Sequence, residues 1–261
     1  MTCIIHGLHP VHEALKIHPS PVKGIIVSRG RNHRSLEEIL RLAEERRIPI
    51  RWADRNDLTR MAKTASHQGI VAQMYEFEYA EPADIVQRWK ETGEKAFLLI
   101  VDGVEDPQNL GGLIRTANAF GVHGVFIPKD RATAVTPVVI KASVGAAFYT
   151  PIARVTNIVS CLEFLKESGV WILGAEAEAE RPIYDCDLDL DLGIVIGSEG
   201  RGIRALVRKK CDFLASIPLC GEITSLNASV AGGLVMYEVS RRRLPGKGSH
   251  DQVGHTGKRN S

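Results

Sequence analysis

Between residues 23 and 74 the chain changes its hydrophobic period several times. "KGIIVS" (23–28) is a short apolar run and predicts a strand, while "SLEEILRLAEERR" (35–47) predicts an amphipathic helix. "IPIRWA" (48–53) reads as a second strand, "DRNDLTRMAK" (54–63) as a capped helix and "GIVAQM" (69–74) as a third strand. The alternation defines a small α/β unit of about 75 residues, near the low end for independent folding. "YEFEYAEPADIVQRWKETGEK" (75–95) predicts a connector with one short helix.

A second pattern starts at "AFLLIVD" (96–102), an almost continuous apolar run of the kind found in strands buried on both faces. Strand-like and helical segments then alternate: "GVFIP", "TPVVIKASV", "NIVSCLEFLKES", "VWILGA", "GIVIG", "IRALVRKKC", "FLASIPL" and "NASVAGGLVMYEVSRRR". Such alternation predicts a largely parallel sheet covered by helices on both faces, with ligands bound beyond the carboxyl ends of the strands. After Leu244 the chain is polar and Gly-rich and is expected to be disordered. The expected organisation is a small domain (1–76), a linker (77–95), a larger α/β domain (96–244) and a basic tail (245–261).

Composition narrows the class. With 44% hydrophobic and 25% charged residues among 261, the chain has the make-up of an ordinary globular protein. No apolar stretch approaches the length of a membrane span, and the N-terminus lacks the charged-then-apolar layout of a signal peptide, so a soluble cytoplasmic protein is expected. Five cysteines (3, 161, 186, 211, 220) are scattered without a CxxC pair, which suggests reduced thiols and no metal site. The net charge of +2 hides a segregation of sign. Residues 1–80 hold 12 Lys/Arg against 9 Asp/Glu, residues 81–240 hold 15 against 21, and residues 241–261 hold 6 against 1. Basic charge at the two ends, including Arg29, Arg31 and Arg34 in "SRGRNHR", suggests a polyanionic partner such as nucleic acid.

Three polar, glycine-rich loops follow apolar strands. In "GIVIGSEGRGI" (193–203) the strand stops at Gly197. The loop fails the phosphate-loop pattern, because Gly202 is followed by Ile203 and not by Lys. "GRGIRA" (200–205) fits G-x-G-x-x-A, but its first glycine lies three residues beyond the strand. Read locally, Glu199 caps a helix that begins near Ile203. In "VDGVEDPQNLGGLIRTANAFG" (101–121), Asn109 is the expected N-cap of a helix running to about Phe120, with Gly121 as its stop and Arg115 among apolar neighbours. Gly111 and Gly112 each cost such a helix roughly 1 kcal/mol relative to Ala, a cost accepted where a backbone must come close to a neighbour. In "IPLCGEITSLNASVAGGLVMYEVSRRR" (217–243) a strand ends near Leu219 and a long helix begins near Leu226. Ser225, Asn227 and Ser229 cluster at its start as caps or site residues. Ala228, Ala231, Gly232 and Gly233 make it thin enough for tight packing on another helix or on a second subunit.

In this order the three loops resemble the three motifs of the SpoU (TrmH) branch of the SPOUT RNA methyltransferases. The matching stretches are "NLGGLIR" (109–115), "IVIGSEGRGI" (194–203) and "IPLCGEITSLNASVAGG" (217–233). The first part, opening "IIHGLHPVHEAL", resembles the small substrate-binding domain that precedes the catalytic domain in bacterial large-subunit rRNA guanosine 2′-O-methyltransferases. Gly112, where relatives often carry Ala, is expected to be a harmless departure.

The resemblance implies an α/β fold: a SPOUT domain with a parallel-type sheet and a C-terminal trefoil knot, preceded by a small L30e-like α/β domain. Periodicity does not predict a knot. It further implies S-adenosyl-L-methionine as cofactor, with backbone contacts from Gly197, Ile217 and Leu226, and polar active-site positions at Asn109, Arg115, Glu199, Ser225 and Asn227. The implied protein is a metal-free homodimer, paired through its C-terminal helices. It would methylate a guanosine ribose of 23S rRNA at the 2′-oxygen, with Arg29, Arg31 and Arg34 as candidate contacts to large-subunit rRNA. In that reaction Glu199 either orients Arg115 or takes part in proton transfer. A tRNA or another rRNA site is the nearer alternative. The rivals of a different class are a nucleotide-dependent oxidoreductase, resting on "GRGIRA", and a non-catalytic RNA-binding protein, against which the full polar set speaks.

Overall fold

The computed structural model describes residues 3–17, 20–29, 34–130 and 132–243. The first unit runs β1 (Cys3–His6), α1 (Leu8–Lys16), β2 (Val22–Ser28), α2 (Arg34–Glu45), β3 (Ile50–Ala53), α3 (Arg55–Ala62) and β4 (Ile70–Met74). Its sheet has the order β1-β4-β2-β3; β4 is antiparallel to both neighbours, and β2 and β3 are parallel. β1 and α1 were not legible as elements, since one is four residues long and the other contains a proline and two histidines. Gly7, at φ +98°, turns the chain from β1 into α1, which buries Val11, Ala14 and Leu15.

The segment after β4 is no free connector. Its helix α4 (Pro82–Thr92) starts on a proline, ends on the left-handed Gly93 and buries Ile85, Val86 and Trp89. Ile85 occupies the space in which a side chain at position 124 would stand.

The second unit follows as β5 (Phe97–Asp102), α5 (Pro107–Ala119), β6 (Gly124–Pro128), α6 (Pro137–Ala142), β7 (Ile152–Val155), α7 (Ile158–Glu167), β8 (Trp171–Ala175), β9 (Leu192–Gly197), α8 (Ala205–Arg208), β10 (Phe213–Ala215) and α9 (Ala228–Arg243). The sheet order is β10-β8-β9-β5-β6-β7, and every pairing is parallel. Every residue of β5 is buried, and the strand divides its side chains between two layers. Phe97, Leu99 and Val101 join the core formed with α5, α6 and α9, which continues into the first unit. Leu98 and Ile100 join the core formed with α4, α7 and α8. Sheet and helices thus make the three layers that the alternating pattern predicts.

The two units are docked by specific contacts. Tyr149 Oη donates to Glu13 Oε2 at 2.5 Å, and the backbone N–H of Val135 donates to Tyr79 Oη at 2.9 Å. Burial and the Glu13 hydrogen bond push the Tyr149 phenol up to about 12.

α5 lies between two helices, and its glycines explain how. A Cβ on Gly111 would overlap the Cβ of Ala142 in α6 and come within 3.1 Å of the Ser143 backbone nitrogen. A Cβ on Gly112 would meet only the Ser229 side chain of α9, at 3.0 Å. From the other side, Gly232 of α9 takes the Leu113 side chain where its own would be. The thin helix is therefore used within the chain, against α5. We expect Gly111→Ala to lower stability by about 1–3 kcal/mol through overpacking, despite the better helix propensity of Ala, and Gly112→Ala to be close to neutral. Urea unfolding of the two variants against the parent checks both.

Candidate active site

The carboxyl ends of β8, β9 and β10 open into one cavity of about 690 Å³, measured out to its open mouth. Its apolar wall includes Ile196, Ile217, Leu219 and Leu226. Glu176, Glu199 and Ser225 supply polar side chains at its margin.

One wall is the loop after β9. Ser198 and Gly202 exchange backbone hydrogen bonds of 3.1 and 2.9 Å, so the loop closes on itself. A side chain on Gly197 would collide with the Gly202 carbonyl group and the Ile203 nitrogen. Gly202 itself stands at φ +63°, a left-handed conformation that glycine adopts freely. The loop is fastened to β5 by Asp102, which is 0% exposed. Its carboxylate accepts the Arg204 backbone N–H at 2.9 Å and Arg204 Nε at 2.7 Å, and lies 2.5 Å from the second guanidinium nitrogen. The sequence signal for this anchor is an acid closing the apolar run "LLIVD", which by itself gives no sign of a role in the site.

Local readings of two residues are corrected by the structure. Asn109 is not the N-cap of α5. Asp106 is, accepting the Gln108 N–H at 3.0 Å, because Pro107 fits the first helical position and places the cap one residue earlier. Asn109 therefore falls in the first turn with its amide free. Glu199 does not cap the following helix either: α8 spans four residues and has Arg204 as its uncapped start. Glu199 reaches instead across the sheet. Its Oε1 accepts from Asn109 Nδ2 at 2.7 Å, from Asn227 Nδ2, and from the Ala228 backbone N–H at 3.4 Å. The second N–H of Asn227 donates to Asn109 Oδ1 at 2.9 Å, closing a triangle of three side chains. Asn227 Oδ1 also accepts from Ser229 N and Val230 N, at 3.0 and 3.3 Å, and so caps α9. Oε2 of Glu199 has no hydrogen-bond partner among the described residues.

Gly197, Ile217 and Leu226 line the cavity, as do Glu199 and Ser225. Asn109 and Asn227 stand behind Glu199. Arg115 is not drawn into this group. Six residues beyond Asn109, it points about 120° around α5, is exposed, and makes no hydrogen bond or ion pair among the described residues. It does not touch Glu199, so the reading in which the carboxylate orients the guanidinium is not what the structure has. In the first unit Arg29 and Arg34 are exposed, at the end of β2 and the start of α2; Arg31 and the tail 245–261 lie outside the described residues. Among the described residues no His, Cys, Asp and Glu are grouped to hold a metal ion, and no helix is long and apolar enough to cross a membrane.

A parallel sheet between two helical layers, a cavity at its carboxyl edge and a small α/β unit before it define a two-part α/β protein with a candidate binding site at the sheet edge. The SpoU rRNA Methylase family profile matches residues 96–237, and the profile for RNA 2′-O ribose methyltransferase substrate binding matches residues 4–80. The chain belongs to the SpoU rRNA methylase family. It is 44% identical to the 23S rRNA (guanosine-2′-O-)-methyltransferase RlmB of Coxiella burnetii over 92% of this chain and 95% of the relative. It is 48% identical to the putative TrmH family tRNA/rRNA methyltransferase YacO of Bacillus subtilis over 80% of this chain and 84% of the relative. Among solved structures, the SpoU methyltransferase AviRb of Streptomyces viridochromogenes in complex with AdoMet aligns with a TM-score of 0.78 at 26% identity, over 93% of this chain and 91% of that one.

Breaking the Asp102–Arg204 pair from its two ends has unequal effects. Arg204→Ala leaves a buried carboxylate with one backbone donor and is expected to cost about 3 kcal/mol. Asp102→Ala leaves a guanidinium already 47% exposed, which water solvates, and costs less. Chemical denaturation of the two variants tests the ordering.

Proposed function

We propose that the chain catalyses S-adenosyl-L-methionine-dependent 2′-O-methylation of a guanosine ribose in 23S rRNA, acting as a metal-free homodimer in the cytoplasm. The observation that carries this reading is the cavity at the carboxyl edge of the sheet, with the Glu199–Asn109–Asn227 triangle at its margin. Apolar walls, a backbone brought close at Gly197 and a loop rich in backbone polar groups suit a nucleoside cofactor. The 23S rRNA guanosine specificity of the Coxiella relative, aligned across both domains, supports the choice of substrate.

When bound, S-adenosylmethionine supplies an electrophilic methyl group on a sulfonium, whose C–S bond breaks as the ribose 2′-oxygen forms its bond to carbon, leaving a neutral thioether. The protein's tasks are alignment and removal of the hydroxyl proton. Alignment alone lowers such barriers by up to roughly 7–11 kcal/mol in well-oriented systems. Glu199 Oε2, held outward while Oε1 is occupied by three donors, is the acceptor for the proton. Asn109 and Asn227 fix the carboxylate without neutralising it. Arg115 serves as a cation, its guanidinium binding the phosphate beside the target ribose. Ser225 positions cofactor or ribose, and Arg29, Arg31 and Arg34 bind RNA backbone in the first domain.

The trefoil knot belongs to the same reading, with the 197–204 loop and the 216–227 segment as its walls. So does the dimer. Val230, Leu234 and Tyr237, at helical spacing along α9, are 50%, 45% and 52% exposed and form an apolar stripe. We expect Leu234→Glu to shift the protein from dimer to monomer in sedimentation equilibrium.

The deciding experiment incubates the protein with labelled cofactor and unmodified total RNA, then maps the label. The expected product is a single 2′-O-methylguanosine in 23S rRNA. Label in tRNA, or at another rRNA site, would select the alternative substrate. In the same assay Arg115→Ala should lose methyl transfer by at least tenfold while binding S-adenosylhomocysteine normally, and Arg115→Lys should recover part of it if charge alone matters.

A further inference from the structure

Glu176 follows directly on β8 and lines the cavity, on the opposite side of β9 from α5 and Asn109. Its backbone N–H donates to the Ala215 carbonyl at 3.0 Å, which fixes its position between β8 and β10. Its carboxylate lies against the left-handed Gly202: Oε1 and Oε2 are 3.3 and 3.6 Å from the point where a Cβ of residue 202 would stand. The side chain is half-buried, and among the described residues it has no hydrogen-bond or ion-pair partner. A carboxylate inside a largely apolar cavity normally finds a donor, because desolvating it without one is costly. Glu199, which lines the same cavity, has three donors; among the described residues Glu176 has none.

We propose that Glu176 binds the ribose diol of the cofactor, an assignment that rests on the S-adenosylmethionine reading of the cavity. The order of the strands decides which part of the cofactor it meets. The reacting groups gather where β9 and β5 end, around Glu199 and Asn109, so the sulfonium belongs there. Glu176 lies one strand further out, beside the apolar residues Ala215 and Ile217 that suit the adenine ring. Between the sulfonium and the base, the cofactor's only hydrogen-bond donors are its two ribose hydroxyls. Two vicinal hydroxyls match the two oxygens of one carboxylate, as acids after strands do in other nucleotide sites. A Cβ at position 202 would stand in tight contact with the carboxylate, so glycine leaves that side chain room.

The test is a ligand–protein double-mutant cycle by calorimetry, with S-adenosylhomocysteine and its 3′-deoxyribose counterpart as probes. The parent protein is expected to bind the diol form at least tenfold more tightly, as for a hydrogen bond to a charged acceptor. Glu176→Ala is expected to bind both probes alike, and Glu176→Gln, which keeps the shape and one acceptor oxygen, to retain part of the preference. An undiminished preference in both variants overturns the assignment. So does a parent protein that binds both probes equally. Variants that keep the diol preference but lose preference for S-adenosylmethionine over S-adenosylhomocysteine would put the carboxylate on the sulfonium, which also overturns it. Failure of the parent protein to bind S-adenosylhomocysteine at all sinks the cofactor reading itself, a result distinct from the others.

Discussion

The site depends on a loop that has no room for a side chain at its root. Gly197 ends β9 with Gly202 folded directly over it, and Ser198 and Gly202 close the turn through two backbone hydrogen bonds. Everything placed by that loop follows. Glu199 sits at its tip, Ile203 drops into the core on the far face of the sheet, and Arg204 reaches back to the buried Asp102. A loop anchored at both ends can hold a carboxylate in position with little loss of entropy on substrate binding. The wall formed by this loop is thus held by backbone contacts, which no side-chain rotamer can swing out of place.

The sheet order explains why residues 90 and 118 positions apart in sequence meet. β5 and β9 are neighbours at the centre of the sheet, in register from Phe97↔Leu192 to Asp102↔Gly197. The loops leaving them therefore start side by side. α5 begins a few residues after β5, and α9 returns to pack on it through Gly112 and Gly232. Asn109 and Asn227 are the residues near the two helix starts that face one another, and Glu199 comes up between them. Gly111 and Gly232 are what let α6, α5 and α9 approach closely enough for the triangle to close.

Most elements were legible where periodicity was long. The apolar runs of β5, β6, β8 and β9 and the amphipathic pattern of α2 predict what is found. Among the four-residue strands β3 was legible, while β1 and β7 were not. The strand thought to end near Leu219 ends at Ala215, and the apolar residues beyond it serve the cavity instead of the sheet. The resemblance to known motifs singled out Asn109, Glu199 and Asn227, which the fold brings together, but their local partners were not legible. Asn109 and Glu199 both have good capping chemistry, and reading each against its nearest helix gave the wrong partner. Capping is a short-range inference; the actual partners are long-range and depend on which strands are neighbours. Glu176 carried no local signal at all, since an acid in "AEAEAE" looks like solvated surface until the sheet places it beside Gly202.

The proposed chemistry makes opposite electrostatic demands within a small space. A phosphate at every nucleotide calls for fixed positive charge, while a hydroxyl that must lose its proton calls for a free carboxylate. Had Arg115 paired with Glu199, each would have weakened the other: the carboxylate would be a poorer base and the guanidinium a poorer phosphate ligand. Six residues of helix, and hence about 120° of rotation, keep them apart. Neutral amides do the orienting instead, since Asn109 and Asn227 offer N–H groups that hold Oε1 but carry no charge to cancel it. On the proposed reading, Asn at both positions would let one site hold an acid-base group and a phosphate-binding group at once.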